Sequence, residues 1–275
     1  MPIVTIAHET GSGGPEIGTA LAERLGYRYV DREMISQAAR HYGVTEDKLT
    51  QLDETKPSLF ERFDVETRQF ITIIQSGLFD VAEEDNVVIN SRGGQMLLRG
   101  IAHVLRIRVI APFDLRVKRV LNKMAGQMSE SVDVRTTAEM VRRSDHEKHG
   151  RTRYLYDVDW GDPALYDLVI NTEKLTPEAA VEMIVGLVRR PELASTDASR
   201  QAVRDRGLAS RVRAALAAHP ETRKYRINVE SDQGVVRLEG TAALEKAAEV
   251  TRTVAGVVDV KAQLLEVPPI PPFVA

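Results

Sequence analysis

The cluster of glycines in TIAHETGSGGPEIGTALAERLG (residues 5–26) lies between two apolar patterns of different period. Before it, PIVTIA (residues 2–7) is a short β-branched run that predicts a buried strand. After it, apolar residues recur at helical spacing from Ile17 until Gly26 ends the helix. A glycine-rich turn at this place lets the backbone curl around an anion, and the N–H groups of a helix N-terminus attract phosphate. The segment therefore favours an α/β fold with a phosphate-binding loop.

The loop departs from the usual pattern G-x-x-x-x-G-K-[ST] at its lysine and hydroxyl positions, which fall on Gly14 and Glu16. Backbone N–H groups still attract phosphate without them. The alternative is a tight β-to-α turn with no ligand, in which Glu16 stabilises the helix macrodipole and Pro15 fits the first turn. We predict that the cofactor-binding residues are Gly11, Ser12, Gly13, Gly14 and Glu16.

Strand and helix patterns alternate along residues 1–190. We predict strands at 27–30, 86–91, 104–111 and 166–171, helices at 31–43, 64–83, 114–126 and 176–190, and a charged helix through 136–150. This alternation indicates a mostly parallel sheet flanked by helices on both faces.

The pattern changes after residue 190. Residues 191–206 are small, polar and charged and predict a linker that can be partly helical, whereas 207–267 predict a separate small α-β-β-α-β domain. Two of its strands flank a tight turn at Asp232-Gln233-Gly234. Residues 268–275 form a proline-rich tail that should be extended.

Composition excludes several classes of function. The chain has no cysteine, which rules out thiolate metal sites and cysteine nucleophiles, and its net charge of -3 gives no reason to expect a nucleic-acid partner. His146 and His149 lack a matching carboxylate pattern, so we predict no protein metal site. No signal-peptide pattern and no window of 18 consecutive apolar residues is found, so the expected location is the cytoplasm.

The run TIAHETGSGGPEIGTALAERLGYRYVDREMI resembles the start of the cytidylate kinase-like proteins, whose loop typically reads S-R-E-x-G-S-G-G-R-E-I. The resemblance continues in order through VVINSRGGQMLLR, VLRIRVIAPFDLRVKRV and YDLVINTEKLTPEAAVEMI, and covers about residues 1–190. It implies a P-loop kinase-like fold, the use of ATP and Mg²⁺, and phosphoryl transfer to a nucleotide substrate such as CMP.

The resemblance also implies roles for single residues. Asp31 and Arg92 match positions near the acceptor nucleotide, and the lid motif D-x-x-R reads DHEK here, so that Lys148 stands where the family has arginine. Arg151 and Arg153 follow in a lid-like position. The implied catalytic residues are Arg92, Lys148, Arg151 and Arg153, and the implied substrate-binding residues are Asp31 and Arg92.

Two loop arginines of the family are absent, because Pro15 and His8 occupy their positions. Loss of a cation from a phosphate site costs on the order of a few kcal/mol of transition-state stabilisation. The lysine and arginines between 142 and 153 are the candidate substitutes, although a solvated charged helix also explains them. Two functions therefore stay open: an ATP-dependent nucleoside monophosphate kinase, or a catalytically weakened nucleotide-binding sensor that signals through its C-terminal domain.

Residues 207–267 resemble the BON domain in VRAAL, INVESDQGVVRLEGTA and VAGVVDVKAQL. The resemblance implies a regulatory or localising module that contacts a protein or phospholipid. A structural unit that forms a homo-oligomer is the alternative.

Overall fold

A computed structural model of the 275-residue chain describes residues 2–31, 65–91, 93–126 and 133–265. The chain divides into two compact units, one made of residues 1–35 and 84–199 and the other of residues 36–83 and 200–275. The domain boundaries expected from the sequence stay predictions. In the described part of the chain, no helix is both long and apolar enough to cross a membrane.

The described strands are β1 (Ile3–His8), β2 (Arg28–Val30), β3 (Val87–Asn90), β4 (Val104–Ile110), β5 (Leu168–Asn171), β6 (Ile227–Asp232), β7 (Val235–Gly240) and β8 (Asp259–Leu264). The described helices are α1 (Gly14–Leu25), α2 (Val65–Ala82), α3 (Gly94–Leu97), α4 (Phe113–Ala125), α5 (Val134–Tyr156), α6 (Pro177–Val188), α7 (Asp197–Ala218) and α8 (Leu244–Arg252). The helix predicted over residues 31–43 falls almost wholly outside the described residues.

The first unit contains a five-stranded parallel sheet in the order β2-β3-β1-β4-β5, which confirms the predicted fold class. The chain passes from β1 over β3 to β2, and later from β3 over β1 to β4, so the direction of winding reverses between β1 and β3. In open α/β sheets such a reversal opens a crevice at the carboxyl ends of the strands, where ligands bind.

Apolar residues bury both faces of this sheet. All four residues of β3 are buried, as expected for a parallel strand that is covered on both sides. Ile17 and Leu21 of α1 are fully buried in the same core as Ile6, and each such side chain contributes about 1.5–3 kcal/mol on burial. Gly26 ends α1 in the left-handed conformation (φ 67°), as its position in the sequence predicted.

The second unit contains a three-stranded sheet in the order β6-β7-β8. β6 and β7 form an antiparallel hairpin whose turn residues Gln233 (φ 48°) and Gly234 (φ 85°) are both left-handed, as a two-residue hairpin turn requires. β8 pairs parallel to β7. Helix α7 begins at Asp197, so ten residues of the predicted linker (197–206) are helical.

Helix α2 belongs to the second unit. Ile73 of α2 packs with Ala214 of α7. Arg211 of α7 donates hydrogen bonds to Asp80 Oδ1 (3.0 Å) and Glu83 Oε1 (2.8 Å). Burial raises the pKa of Glu83, and Arg211 partly offsets that rise.

Candidate active site

The loop between β1 and α1 is a closed turn with its glycines in left-handed conformations. Gly11 has φ 81° and Gly13 has φ 91°. A Cβ on Gly11 would lie 2.6 Å from the carbonyl oxygen of Arg116, whereas a Cβ on Gly13 would meet nothing within 4 Å. Packing against Arg116 therefore leaves no room for a side chain at Gly11. At Gly13 there is room, and it is the left-handed backbone angle that favours glycine.

Ser12 stabilises the loop through two hydrogen bonds to the backbone of Glu9. Its side chain is buried, its Oγ donates to the carbonyl oxygen of Glu9 (2.7 Å), and its backbone N–H donates to the same oxygen (3.1 Å). Among the predicted cofactor-binding residues, Ser12 thus uses its hydroxyl to hold the loop.

The first turn of α1 presents backbone donors. Ile17 N donates to Gly13 O (3.0 Å) as the first intrahelical bond, so the N–H groups of Gly14 and Glu16 precede the helical ladder. Pro15, between them, has no N–H. The carboxylate of Glu16 is exposed and pairs with Lys123 at 3.4 Å, so it faces away from a buried site.

Gly14 and His8 lie in direct contact across the strand-to-helix turn. A Cβ added to Gly14 would overlap the Cβ and Cγ of His8. His8 Nδ1 lies 3.1 Å from Glu9 O. His8, which stands where the family has an arginine, therefore packs its ring against the backbone at the start of α1.

Helix α5, the predicted lid, binds the loop through Thr10. The ammonium of Lys148 is buried and donates to Thr10 Oγ1 (2.8 Å) and His8 O (3.0 Å). Thr10 N donates to Asp145 Oδ1 (2.9 Å), and Thr10 Oγ1 donates to Ser144 Oγ (2.8 Å). Because Lys148 is buried, the alternative of a solvated charged helix does not apply to this face of α5.

The other cations of α5 are distributed around its circumference. Arg142 is exposed with its guanidinium 4.5 Å from the Phe113 ring centre, and exposed Arg143 donates to Glu147 (2.9 Å). Arg151 is half-buried and Arg153 is exposed. Of the predicted lid cations, Lys148 is the one that the described structure places on the loop.

Three arginines that the sequence analysis did not single out also hold the loop. Arg116 Nη1 donates to Thr10 O (3.0 Å) and Asp145 Oδ2 (2.6 Å). Arg119 Nη1 lies 3.4 Å from Ser12 O. Arg108 donates to Glu9 Oε1 (3.4 Å) from within β4.

Two sequence signals point to these arginines. Arg116 and Arg119 stand three residues apart in DLRVKRV, which places them on one face of α4. Arg108 interrupts an apolar strand pattern, and a buried charge of that kind requires a partner.

A cavity of about 170 Å³ opens at the carboxyl ends of β1, β2 and β3, at the reversal of winding between β1 and β3. Its described lining consists of Ala7, His8, Asp31, Asn90, Ser91, Lys148, Thr152 and Trp160. The cavity thus brings together Asp31 and Lys148 of the predicted site residues. Arg92 follows Ser91 in the chain and lies outside the described residues, and Arg151 and Arg153 are not part of the described lining.

The described residues offer no obvious cage for a metal ion. In residues 2–31, 65–91, 93–126 and 133–265, no three His, Asp or Glu side chains cluster in a way that could bind one. His149 Nδ1 instead lies 3.5 Å from Asp159 Oδ1.

Residues 3–174 match the model of the Cytidylate kinase-like family, and residues 204–268 match that of the BON domain. Cytidylate kinase of Sulfolobus acidocaldarius is 28% identical over 193 residues, which span 70% of this chain and 97% of that protein. Cytidylate kinase of Pyrococcus horikoshii is 26% identical over 185 residues, with 66% and 85% covered. Both resemblances inferred from the sequence are confirmed.

Among solved structures, an uncharacterized protein from Eubacterium ventriosum superimposes with a TM-score of 0.52 at 22% identity, covering 68% of this chain and 97% of that one. At this identity the match supports the fold alone.

Proposed function

Because the chain belongs to the cytidylate kinase-like family, we propose that it is an ATP-dependent nucleoside monophosphate kinase. The γ-phosphoryl group of ATP passes to a phosphate oxygen of the acceptor nucleotide, and ADP leaves. The observation that carries the proposal is the cavity at the reversal point between β1 and β3, which adjoins the loop at His8 and contains the buried ammonium of Lys148.

The chain contributes positioning and charge, which dominate phosphoryl transfer. N–H groups at the start of α1 bind the phosphates of ATP, and the loop glycines allow the close approach. Lys148, which lies on the loop and in the cavity at once, neutralises charge on the transferring group. In this proposal Asp31 and Arg92 bind the acceptor, and Arg151 and Arg153 act from the lid after closure.

Mg²⁺ enters this proposal as part of the substrate MgATP. The position that supplies a metal-binding hydroxyl in the usual loop is Glu16, whose carboxylate is exposed and paired with Lys123. We therefore assign no side chain as a metal ligand. The location that we propose is the cytoplasm, as expected from the sequence.

A second candidate is a protein that binds a nucleotide without transferring phosphate and signals through its BON module. It is favoured by the engagement of Arg116, Arg119 and Lys148 with oxygens of the loop, and by the absence of arginine at Pro15 and His8.

A coupled assay with MgATP and a panel of nucleoside monophosphates tests transfer, and we expect turnover with a cytidine acceptor. Trp160, the one tryptophan in the sequence, lines the cavity and reports nucleotide binding by fluorescence. A Trp160 response without turnover on any acceptor selects the second candidate. No response at millimolar nucleotide refutes both.

A further inference from the structure

A second and larger pocket lies within the second unit. It is formed by described residues of α2, α7, the turn after α7, β6 and β7. Its volume is about 640 Å³, within the range of about 300–1,000 Å³ that is typical of small-molecule sites. The proposed kinase reaction does not use it. Its lining includes Arg213, Arg223, Arg226 and a single carboxylate, Glu239.

Arg213 is the most buried of the three arginines in this pocket. Its Nη1 donates to the carbonyl oxygen of Val229 (3.0 Å), which is a neutral acceptor. No carboxylate of a described residue lies within ion-pair distance of Arg213, Arg223 or Arg226. Burial lowers the pKa of the Arg213 guanidinium, and no charged group among the described residues offsets that effect. A desolvated guanidinium that faces a cavity is suited to bind an anion bidentately.

The rest of the lining is apolar and aromatic. Leu216, Ile227 and Leu265 supply an aliphatic wall, and Tyr225 stands at the pocket with 38% of its surface exposed. Such a wall contributes nothing to the recognition of inorganic phosphate but stabilises a planar ring by stacking and contact. The pocket therefore combines an anion-binding end with a surface for an organic group.

We propose that this pocket binds a soluble nucleotide, with its phosphates on Arg213, Arg223 and Arg226 and its base against Tyr225. The site is separate from the loop between β1 and α1, so it holds or fails independently of the proposed kinase activity. A nucleotide bound here is an effector of the chain and not a reactant.

Calorimetry of the full-length protein with CTP tests the proposal, with Trp160 fluorescence as a separate monitor of the N-terminal cavity. We expect a binding event that Trp160 does not report. Arg226→Gln, which alters an exposed side chain, and Arg213→Gln should each weaken that event about tenfold or more. Arg237→Gln, an exposed arginine of β7 outside the pocket, is the matched control and should leave it unchanged.

Two further titrations separate a nucleotide from other anions. Tyr225→Ala should weaken CTP while tripolyphosphate binding stays as in the wild type. The proposal is overturned if tripolyphosphate binds as tightly as CTP, or if no event sensitive to Arg226→Gln exists. It is also overturned if that event appears only with phosphatidylglycerol vesicles, which would assign the pocket to a lipid headgroup.

Discussion

The ammonium of Lys148 lies 2.8 Å from the hydroxyl oxygen of Thr10, and this contact joins helix α5 to the loop between β1 and α1. A lysine in place of the family's arginine keeps the charge, and its ammonium is buried against the loop. Lys148→Met removes the charge with little change in volume. We expect kcat to fall on the order of a hundredfold, since a preorganised cation at a phosphate site contributes that much.

The matched control for this variant is Arg143→Gln on the same helix, because Arg143 is exposed and pairs only with Glu147 among the described residues. Its kcat should remain within about twofold of the wild type, as expected for an exposed ion pair. Circular dichroism verifies that both variants fold. Wild-type turnover by folded Lys148→Met would remove Lys148 from the mechanism.

Pro15→Arg restores a cation that the family has and this chain lacks. Pro15 lies in the first turn of α1, where its ring occupies no buried core position, so an arginine can be accommodated there. We expect kcat/KM to rise by about tenfold or more if charge limits transfer. Pro15→Ala separates the effect of the charge from the loss of proline, whose rigidity is worth about 0.4–1 kcal/mol. Equal rates for the two variants would show that charge at this position does not limit the reaction.

Gly14→Ala tests the close contact between the loop and β1. The added Cβ would overlap His8, and β1 cannot shift without disturbing the parallel sheet. We expect a loss of about 2 kcal/mol or more in the free energy of unfolding by urea, as for overpacking of a core. Gly186→Ala is the control: Gly186 is an exposed position of helix α6 where a Cβ meets nothing within 4 Å, so stability should rise by about 0.5–1 kcal/mol. Similar changes in both variants would contradict the contact.

The local pattern of apolar residues and glycines was enough to predict strand β1, the glycine loop and helix α1, because each depends on residues that are close in the sequence. The hairpin turn at Gln233 and Gly234 was predictable for the same reason. The bonds of Thr10 to Ser144 and Asp145 were not, because they join residues 134 and 135 positions apart and depend on how α5 packs.

Chain order does not by itself assign α2 to one of the two units. Its periodicity identifies a helix, but not the surface that the helix covers. Arg211 of α7 compensates both Asp80 and Glu83 at the end of α2, and this pairing has no signature in either segment alone. Long-range charge pairing of this kind limits what a single sequence reveals about domain composition.

Tyr166 should make the stability of the protein depend on alkaline pH. Burial raises the pKa of its phenol to about 12, with Arg108 partly offsetting the rise, and its hydroxyl donates to Trp160 O at 2.9 Å. The unfolded phenol loses its proton near pH 10, whereas the folded one keeps it until about pH 12. The stabilisation is therefore complete below pH 10 and is lost as the pH rises toward 12, by about 2–3 kcal/mol.

Urea unfolding between pH 8 and about 12 measures this loss. The difference in stability between the wild type and Tyr166→Phe should be constant below about pH 9 and should decrease above it, because the variant has no phenol to ionise. Tyr225→Phe serves as the control, since Tyr225 is an exposed residue. A parallel alkaline loss in wild type and Tyr166→Phe would show that Tyr166 is not the group responsible.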